Sequence, residues 1–304
     1  MLVLHREPCN AGKKPSERTM EESLHYGLIV IDKPRGPTSH EASAFVRKML
    51  CLSKAGHTGT LDANVSGVLP VLLEEACKAS RYISEKTKTY VCIMRCGEQP
   101  TAATVEETFS HFRGKIWQKP PLASAVAKKL RVREIHSLKT LEVQGKDVLF
   151  EAHVDAGTYI RNLCFDAGEV MGIKTEMLEL RRTEAAGFTE NQAITLQKLS
   201  DLWWLYKEHR KTDLQKHLVQ VEDALKLKKV VVSDDALRPI CTGADLAIPG
   251  ILSLDENIKE GDSVALMTGK GELACIAKAL LSTKTITSQE KGIAFDVERV
   301  VQAF

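Results

Sequence analysis

The sequence predicts an α+β protein with two domains, a larger mixed one followed by a small β-rich one. Three observations lead there. The chain has 304 residues, enough for two separate cores. Up to residue 228, apolar runs of strand length alternate with stretches of helical period, a mixture that builds sheets flanked by helices. From residue 229 the character changes. Short β-like runs (229–232, 263–267, 273–281, 292–300) are separated by glycine turns, and one helix near 234–241 leads into Gly243. The expected division is an N-terminal extension over 1–25, a main domain over 26–228 and a terminal domain over 229–304, with Lys226, Lys228 and Lys229 at the boundary.

Within the extension, Met1–Leu4 reads as an added strand and Lys13–Ser16 as linker. Gly27–Asp32 is an unbroken apolar run, the signature of a strand buried on both faces. Lys33-Pro34-Arg35-Gly36-Pro37 then has to turn, because two prolines and a glycine cannot extend a strand. Thr38 and Glu41 have capping-box spacing, and Ala42, Phe45, Val46, Met49 and Leu50 follow helical spacing. A helix is expected over 74–84, a strand over 90–94, a helix over 105–113 that Pro120-Pro121 cuts off, and a hairpin of 134–144 with 147–155 around Gly145-Lys146. Gly157-Thr158 opens a helix with Ile160, Leu163, Cys164, Ala167, Val170 and Met171 inward, ending at Gly172. Met177–Arg182 reads as a strand, and two helices are expected within 196–225, with Trp203, Trp204 and Tyr206 as core packing.

Composition narrows the function classes. Hydrophobic content of 43% and charged content of 27% are those of a soluble globular protein. No apolar run has the length of a membrane span, and residues 1–16 lack a secretory pattern. The eight cysteines are scattered without zinc-finger spacing, which predicts free thiols, a reducing compartment and no metal. Net charge is only +2, so distribution matters more than the sum. Lys115, Lys119, Lys128, Lys129, Arg131 and Arg133 form a basic cluster with no acid among them, either a solvated face or a surface for phosphates.

The chain is organised around Gly56-His57-Thr58-Gly59-Thr60-Leu61-Asp62. A carboxylate shown at the edge of an apolar core is costly and marks candidate chemistry, although a lone loop aspartate is commonly a turn residue. Arg161 falls in the first turn of its helix, where positive charge opposes the macrodipole. It is therefore expected to answer a carboxylate, either Asp62 or a nearer acid such as Asp155.

Several motifs then agree in order: Ile31-Asp32-Lys33-Pro34-Arg35-Gly36-Pro37-Thr38-Ser39-His40, Gly56 through Asp62, Lys88-Thr89-Tyr90, Gly157-Thr158-Tyr159-Ile160-Arg161 and Leu180-Arg181-Arg182. The set resembles the TruB-type pseudouridine synthases. Gly243–Gly250 and Gly261-Asp262 resemble the PUA RNA-binding domain, and Pro120–Val126 with Leu130-Arg131-Val132-Arg133 resemble the dyskerin branch, the catalytic subunits of H/ACA guide-RNA particles. One departure is visible: the family loop reads Leu-Asp-Pro, whereas Ala63 follows Asp62 here, which loosens a turn that proline would stiffen.

The resemblance implies a synthase domain with a mixed, mostly antiparallel sheet and a PUA domain onto which residues 1–25 fold back. It implies isomerisation of uridine to pseudouridine, a change needing no redox step and no external group, hence no cofactor. It assigns Asp62 as nucleophile or base, ionised yet shielded from water, with Arg161 as its ion-pair partner. Tyr90 would stack on the flipped base, Tyr159 hydrogen-bond in the pocket and Leu180 close its apolar side, with His57 and Lys33 supporting the loop, the RNA or a phosphate. Lys119, Lys128, Lys129, Arg131 and Arg133 would contact RNA, as would Gly243, Ala244, Asp245 and Gly250 through the PUA loop. The partners implied are an H/ACA guide RNA, substrate rRNA, a small zinc-ribbon or linker protein, a small β-barrel protein and a kink-turn-binding protein. No long lysine-rich tails are present, which points to the archaeal type and the cytoplasm; a nucleolar location would go only with a eukaryotic chain. Two alternatives stay open, a stand-alone synthase acting on the tRNA T-loop and a catalytically silent RNA-binding scaffold.

Overall fold

The computed structural model describes residues 1–84, 87–119, 129–210 and 213–304. Among these, ten strands form one sheet and seven form another. The large sheet runs Leu218–Gln220, Gly27–Lys33, Ser66–Leu73, Thr175–Ala185, Lys88–Cys96, Asp147–Val154, Arg131–Gln144 and Gly114–Gln118, with Ala55–His57 and Phe188–Thr189 paired at its middle. Every pairing in it is antiparallel except that of Ser66–Leu73 with Thr175–Ala185. This is the mixed, mostly antiparallel sheet that was expected.

Strand Gly27–Lys33 shows why an unbroken apolar run was needed. Leu28 and Val30 face one core, while Ile29 and Ile31 face another, formed with Ala42 and Val46 of helix Ser39–Met49. Thr38 caps that helix as the spacing predicted: its hydroxyl accepts from the Glu41 amide at 3.1 Å, and the Glu41 carboxylate accepts from the Thr38 amide at 2.8 Å. A third core lies between the other half of the sheet and helices Ala102–Phe112 and Ile160–Met171. Gly172, at φ +69°, ends the second of these in the left-handed conformation.

Several local expectations need correction. The helix at 74–84 opens as a 3-10 turn over Glu74–Ala79 before the α-helix Ser80–Ser84. The next helix starts at Ala102 because the Thr101 hydroxyl caps the Thr104 amide. Strand Gly114–Gln118 follows it and was not foreseen. Val170 is 53% exposed and Trp204 57%, so neither is core; the two helices expected within 196–225 are Leu196–His209 and the short Val221–Leu225, with a 3-10 turn and a strand between them. The Pro120–Val126 motif lies outside the described residues.

The small sheet is built from Leu2–Val3, Ile251–Leu254, Lys228–Val232, Ser263–Met267, Leu273–Ala279, Ile293–Val300 and Leu246–Ala247. Leu2 and Val3 pair with Leu254 and Ser253, so the N-terminal arm adds a strand to the C-terminal sheet. The arm is fixed at its other end by Arg18, which lies between Glu222 and Glu272 with all three side chains at most 4% exposed. Arg18 donates to both Glu222 oxygens at 2.8 and 3.0 Å and to Glu272 at 3.1 Å. The second Glu272 oxygen accepts from the Lys13 amide at 2.8 Å, and the Glu222 oxygen that takes the shorter Arg18 bond also accepts from the Leu273 amide at 3.0 Å. No helix among the described residues is long and apolar enough to cross a membrane.

Removing one member of a buried ion network strands the others. Arg18→Met should therefore lower unfolding stability by about 3–5 kcal/mol, read from the midpoint shift in urea. A shift worth under about 1 kcal/mol would mean the network is as weak as a surface pair.

Candidate active site

The Asp62 loop is braced from residues 33–39. Ser39, the first residue of its helix, accepts from the Leu61 amide at 2.7 Å and donates to the Leu61 carbonyl at 3.0 Å. Lys33 is fully buried, and its ammonium donates to the carbonyls of Pro34, Pro37 and Ala63 at 2.8, 2.7 and 3.4 Å. Gly36 N–H donates to the Ala63 carbonyl at 2.8 Å. Both neighbours of Asp62 are thus held through their backbones, while Leu61 and Val65 are buried in the core on either side.

The floor comes from two antiparallel strands, Lys88–Cys96 and Thr175–Ala185. Tyr90 stands opposite Arg182, and Cys92 opposite Leu180. Strand alternation then turns Lys88, Tyr90, Leu180 and Arg182 to one face. Tyr159, just before helix Ile160–Met171, is fixed by the buried Gln118, which accepts from its amide at 2.9 Å and donates to its carbonyl at 3.1 Å. In the first turn of that helix, Arg161 donates to Asp62 in an ion pair. Together these groups line a cavity of about 270 Å³, small enough to suit a single nucleobase rather than a drug-sized ligand.

Of the carboxylates open to Arg161, it takes Asp62; Asp155 accepts instead from His136 and the Glu134 amide. Tyr90 and Leu180 are each 7% exposed on the floor. Asp62, however, is not shielded: its side chain is 58% exposed and that of Arg161 44%. The pair lies at the mouth of the cavity, where no described side chain covers it. His57 and Lys33 do not line the cavity. His57 is turned toward Ser43 and Thr60, 3.4 and 3.3 Å from its ring nitrogens, and burial, then the charges of His40 and Arg182, lower its pKa. Lys33 is committed to backbone carbonyls of the loop and is too buried to meet a phosphate; burial and then Arg182 lower its pKa, against the pull of Asp62.

Two of the deepest groups, Lys88 and Arg182, belong to motifs quoted above but were assigned no role. Arg182 is fully buried, and its pKa is lowered by burial against the opposing influence of Tyr90. Lys88 is pushed down to about 8 by burial first and by the charge of Arg182 second. Gly59 covers both: at φ +68°, a Cβ there would lie 2.8 Å from Lys88 Cε and 3.2 Å from Arg182 Nη1. Gly59 in the loop was the available signal.

The remaining RNA-contact candidates fall into two groups. Lys119 and Lys129 are exposed, and Arg131 and Arg133 are half-buried on strand Arg131–Gln144, with Arg133 over Gly157. Lys128 lies outside the described residues. Gly243, Ala244 and Asp245 form an exposed turn after helix Asp234–Cys241, with Gly243 at φ +96°. Gly250 does not share that role: a Cβ there would lie 2.8 Å from Ala236, so its lack of a side chain serves packing under the helix. Among the described residues, no group of three or more His, Cys, Asp or Glu is placed to hold a metal ion.

Lys88 makes a pH-dependent contribution whose sign is fixed. The folded protein releases this proton near pH 8, whereas the unfolded chain keeps it to about 10.5. The penalty for the buried charge is therefore full below pH 8 and fades as pH rises toward 10.5. Lys88→Met should raise stability at pH 7, and the gain should shrink in denaturation curves taken from pH 8 to 10. A gain that stays constant over that range would show that the lysine does not titrate there.

The comparisons agree over nearly the whole chain. Residues 47–160 match the TruB family pseudouridylate synthase N-terminal domain, 161–226 the tRNA pseudouridylate synthase B C-terminal domain, 228–301 the PUA domain and 3–43 the DKCLD (NUC011) domain. A probable tRNA pseudouridine synthase B of Methanocaldococcus jannaschii is 46% identical over 95% of this chain and 87% of its own. The protein of the same name in Archaeoglobus fulgidus is 43% identical over 95% and 90%. Among solved structures, one of a Cbf5-Nop10-Gar1 complex aligns with TM-score 0.90 and 42% identity over 97% of this chain and 92% of that one. An H/ACA RNP bound to a substrate RNA containing 2′-deoxyuridine aligns with TM-score 0.88 and 38% identity over 99% and 92%. The chain therefore belongs to the TruB family of pseudouridine synthases and carries a PUA domain.

Proposed function

We propose that the chain isomerises uridine to pseudouridine in RNA, with rRNA as substrate and an H/ACA guide RNA choosing the target. The observation that carries this reading is the Asp62–Arg161 ion pair at the mouth of a cavity floored by Tyr90 and Leu180 and lined by Tyr159. The Asp62 carboxylate acts at the sugar as nucleophile or base. Arg161 favours its ionised form and orients it. Tyr90 receives the flipped base by stacking, an interaction worth on the order of 1–3 kcal/mol per base; Leu180 packs against the base and Tyr159 hydrogen-bonds beside it. Guidance by base pairing relieves the protein of reading sequence, in keeping with its net charge of +2. The exposed turn Gly243–Asp245 and the basic residues Lys119, Lys129, Arg131 and Arg133 would hold guide and substrate backbones.

Alignment with the Cbf5-Nop10-Gar1 complex and the H/ACA RNP supports assembly with small partner proteins and a guide RNA. A second reading, action on tRNA without a guide, is favoured by the names of the relatives. An RNA substrate and eight free thiols both fit the cytoplasm.

Asp62→Asn should cut pseudouridine formation by on the order of 10²–10⁴-fold or more while leaving RNA affinity unchanged in a filter-binding assay. A fully active Asp62→Asn would end the mechanism. Turnover of an rRNA fragment only when guide RNA is supplied is the expected result for the assembled particle; equal turnover of a tRNA T-loop by the chain alone would favour the second reading.

A further inference from the structure

Arg182 is an unusual group to find at the back of a pocket. Its Nε donates to the Val68 carbonyl at 2.8 Å, but Nη1 and Nη2 are buried and make no well-formed hydrogen bond among the described residues, with the Tyr90 side chain the nearest group that could accept one. No described carboxylate forms an ion pair with it, and its charge is favoured only by the neighbouring Tyr90. An uncompensated buried cation is costly, and arginine cannot escape the cost by losing its proton. Lys88 adds a second amine under the same glycine. Both cations line the cavity.

We propose that Arg182, with Lys88 beside it, is an anion site that holds the detached base during the reaction. The proposal rests on the reading of the site as a pseudouridine synthase site. When the N1–C1′ bond breaks, its electron pair leaves with the base as a uracilate, whose charge is shared by N1, O2 and O4. The sugar is meanwhile kept either as an ester, formed by an Asp62 oxygen at C1′, or as an unsaturated sugar after its C2′ proton has passed to Asp62. The base turns, C5 bonds to C1′, and the pair or proton held by Asp62 is returned. C5 then loses its proton and N1 gains one, so that no external reagent enters. Only between the first and second bond changes does the pocket hold a pyrimidine anion. Fixed donors at its back, out of water, stabilise that charge and keep the base from escaping.

The test is a leaving-group comparison in the assembled enzyme under single-turnover conditions. Target RNAs carry uridine or 5-fluorouridine, whose base leaves as a more stable anion, and loss of the starting nucleotide is followed. Arg182→Gln should slow the uridine substrate by about a hundredfold or more, and that defect should shrink by about tenfold or more on 5-fluorouridine. Arg182→Lys, which keeps a charge, should recover part of the rate. Lys88→Gln should show the same pattern with a smaller loss, and it leaves the Arg182–Val68 bond intact should Arg182→Gln melt early. Equal defects on both substrates would overturn the proposal, and so would a defect seen only as weaker RNA affinity, which would place a phosphate there instead. A second measurement needs no turnover: binding of barbiturate, an anionic pyrimidine at neutral pH, against neutral uracil, followed by NMR. Wild type and Asp62→Asn should prefer barbiturate, and Arg182→Gln should lose the preference; no preference in wild type would remove the anion site. If wild type turned over neither RNA, the synthase reading would fail by itself, and the barbiturate comparison would still decide this one.

Discussion

The two halves of the large sheet meet at two residue pairs, Ser66 with Arg181 and Gly67 with Arg182, and the site depends on that close approach. At position 67, φ is +108°, and a Cβ would lie 2.1 Å from the Arg182 carbonyl oxygen. Only glycine lets the strands come together there. On one side is the strand that leaves the Asp62 loop, and on the other the strand that brings Leu180 and Arg182 into the cavity. So short a ladder is reinforced by side chains on both faces. Arg182 bonds to the Val68 carbonyl on the cavity face. Arg181, pointing the other way, grips both oxygens of Asp32 at 3.0 and 3.1 Å, the bidentate geometry that makes arginine–carboxylate pairs strong. The Asp62–Arg161 pair crosses the same seam, from a loop of one half to a helix packed on the other.

Where the sequence could be read, a local rule and the fold asked for the same residue. Arg161 in a helix's first turn contradicted the macrodipole, and that conflict pointed to a carboxylate partner. Gly145-Lys146 between alternating strands specified the hairpin, and Thr38 with Glu41 specified a helix start; all three concern neighbours along the chain or a single charge out of place. Lys88 and Arg182 escaped because a cation at one strand position ordinarily marks the solvated face. Their burial depends on the loop that Gly59 and Leu61 lay over them, a contact between distant segments. Trp204 and Val170 failed in the opposite direction. Helical spacing gives a face but not its width, and both residues fall outside their helix's buried stripe.

The N-terminal arm links the two domains by charge as well as by a strand. Arg18 reaches Glu222 at the end of the main domain and Glu272 in the small sheet, and it also stacks 5.0 Å from the Tyr26 ring. Burial acts against its charge, but the two carboxylates outweigh burial and hold its pKa above the ordinary arginine value. One apolar core is shared by both domains: Leu28, Val30 and Val68 pack with Ala265, Met267, Leu273 and Ile276. Apolar contact alone would permit sliding, since it has no direction, whereas the buried arginine fixes a register between the sheets. The turn Gly243–Asp245 and the Asp62 loop thus belong to one frame, as a single RNA held at both would require.

Ala63 in place of proline removes less than the loop's appearance suggests. Proline would have limited φ at that position, but the loop is placed mainly by bonds to its backbone. Ser39 holds Leu61 from one side of the carboxylate, while Gly36 and Lys33 hold the Ala63 carbonyl from the other. These contacts come from a segment already stiffened by Pro34 and Pro37, so rigidity is supplied across space rather than along the chain. The exposure of Asp62 is then a matter of position and not of looseness. Its backbone is fixed on both sides while its carboxylate remains exposed, the arrangement that the role proposed for it, meeting a base arriving from outside, would require.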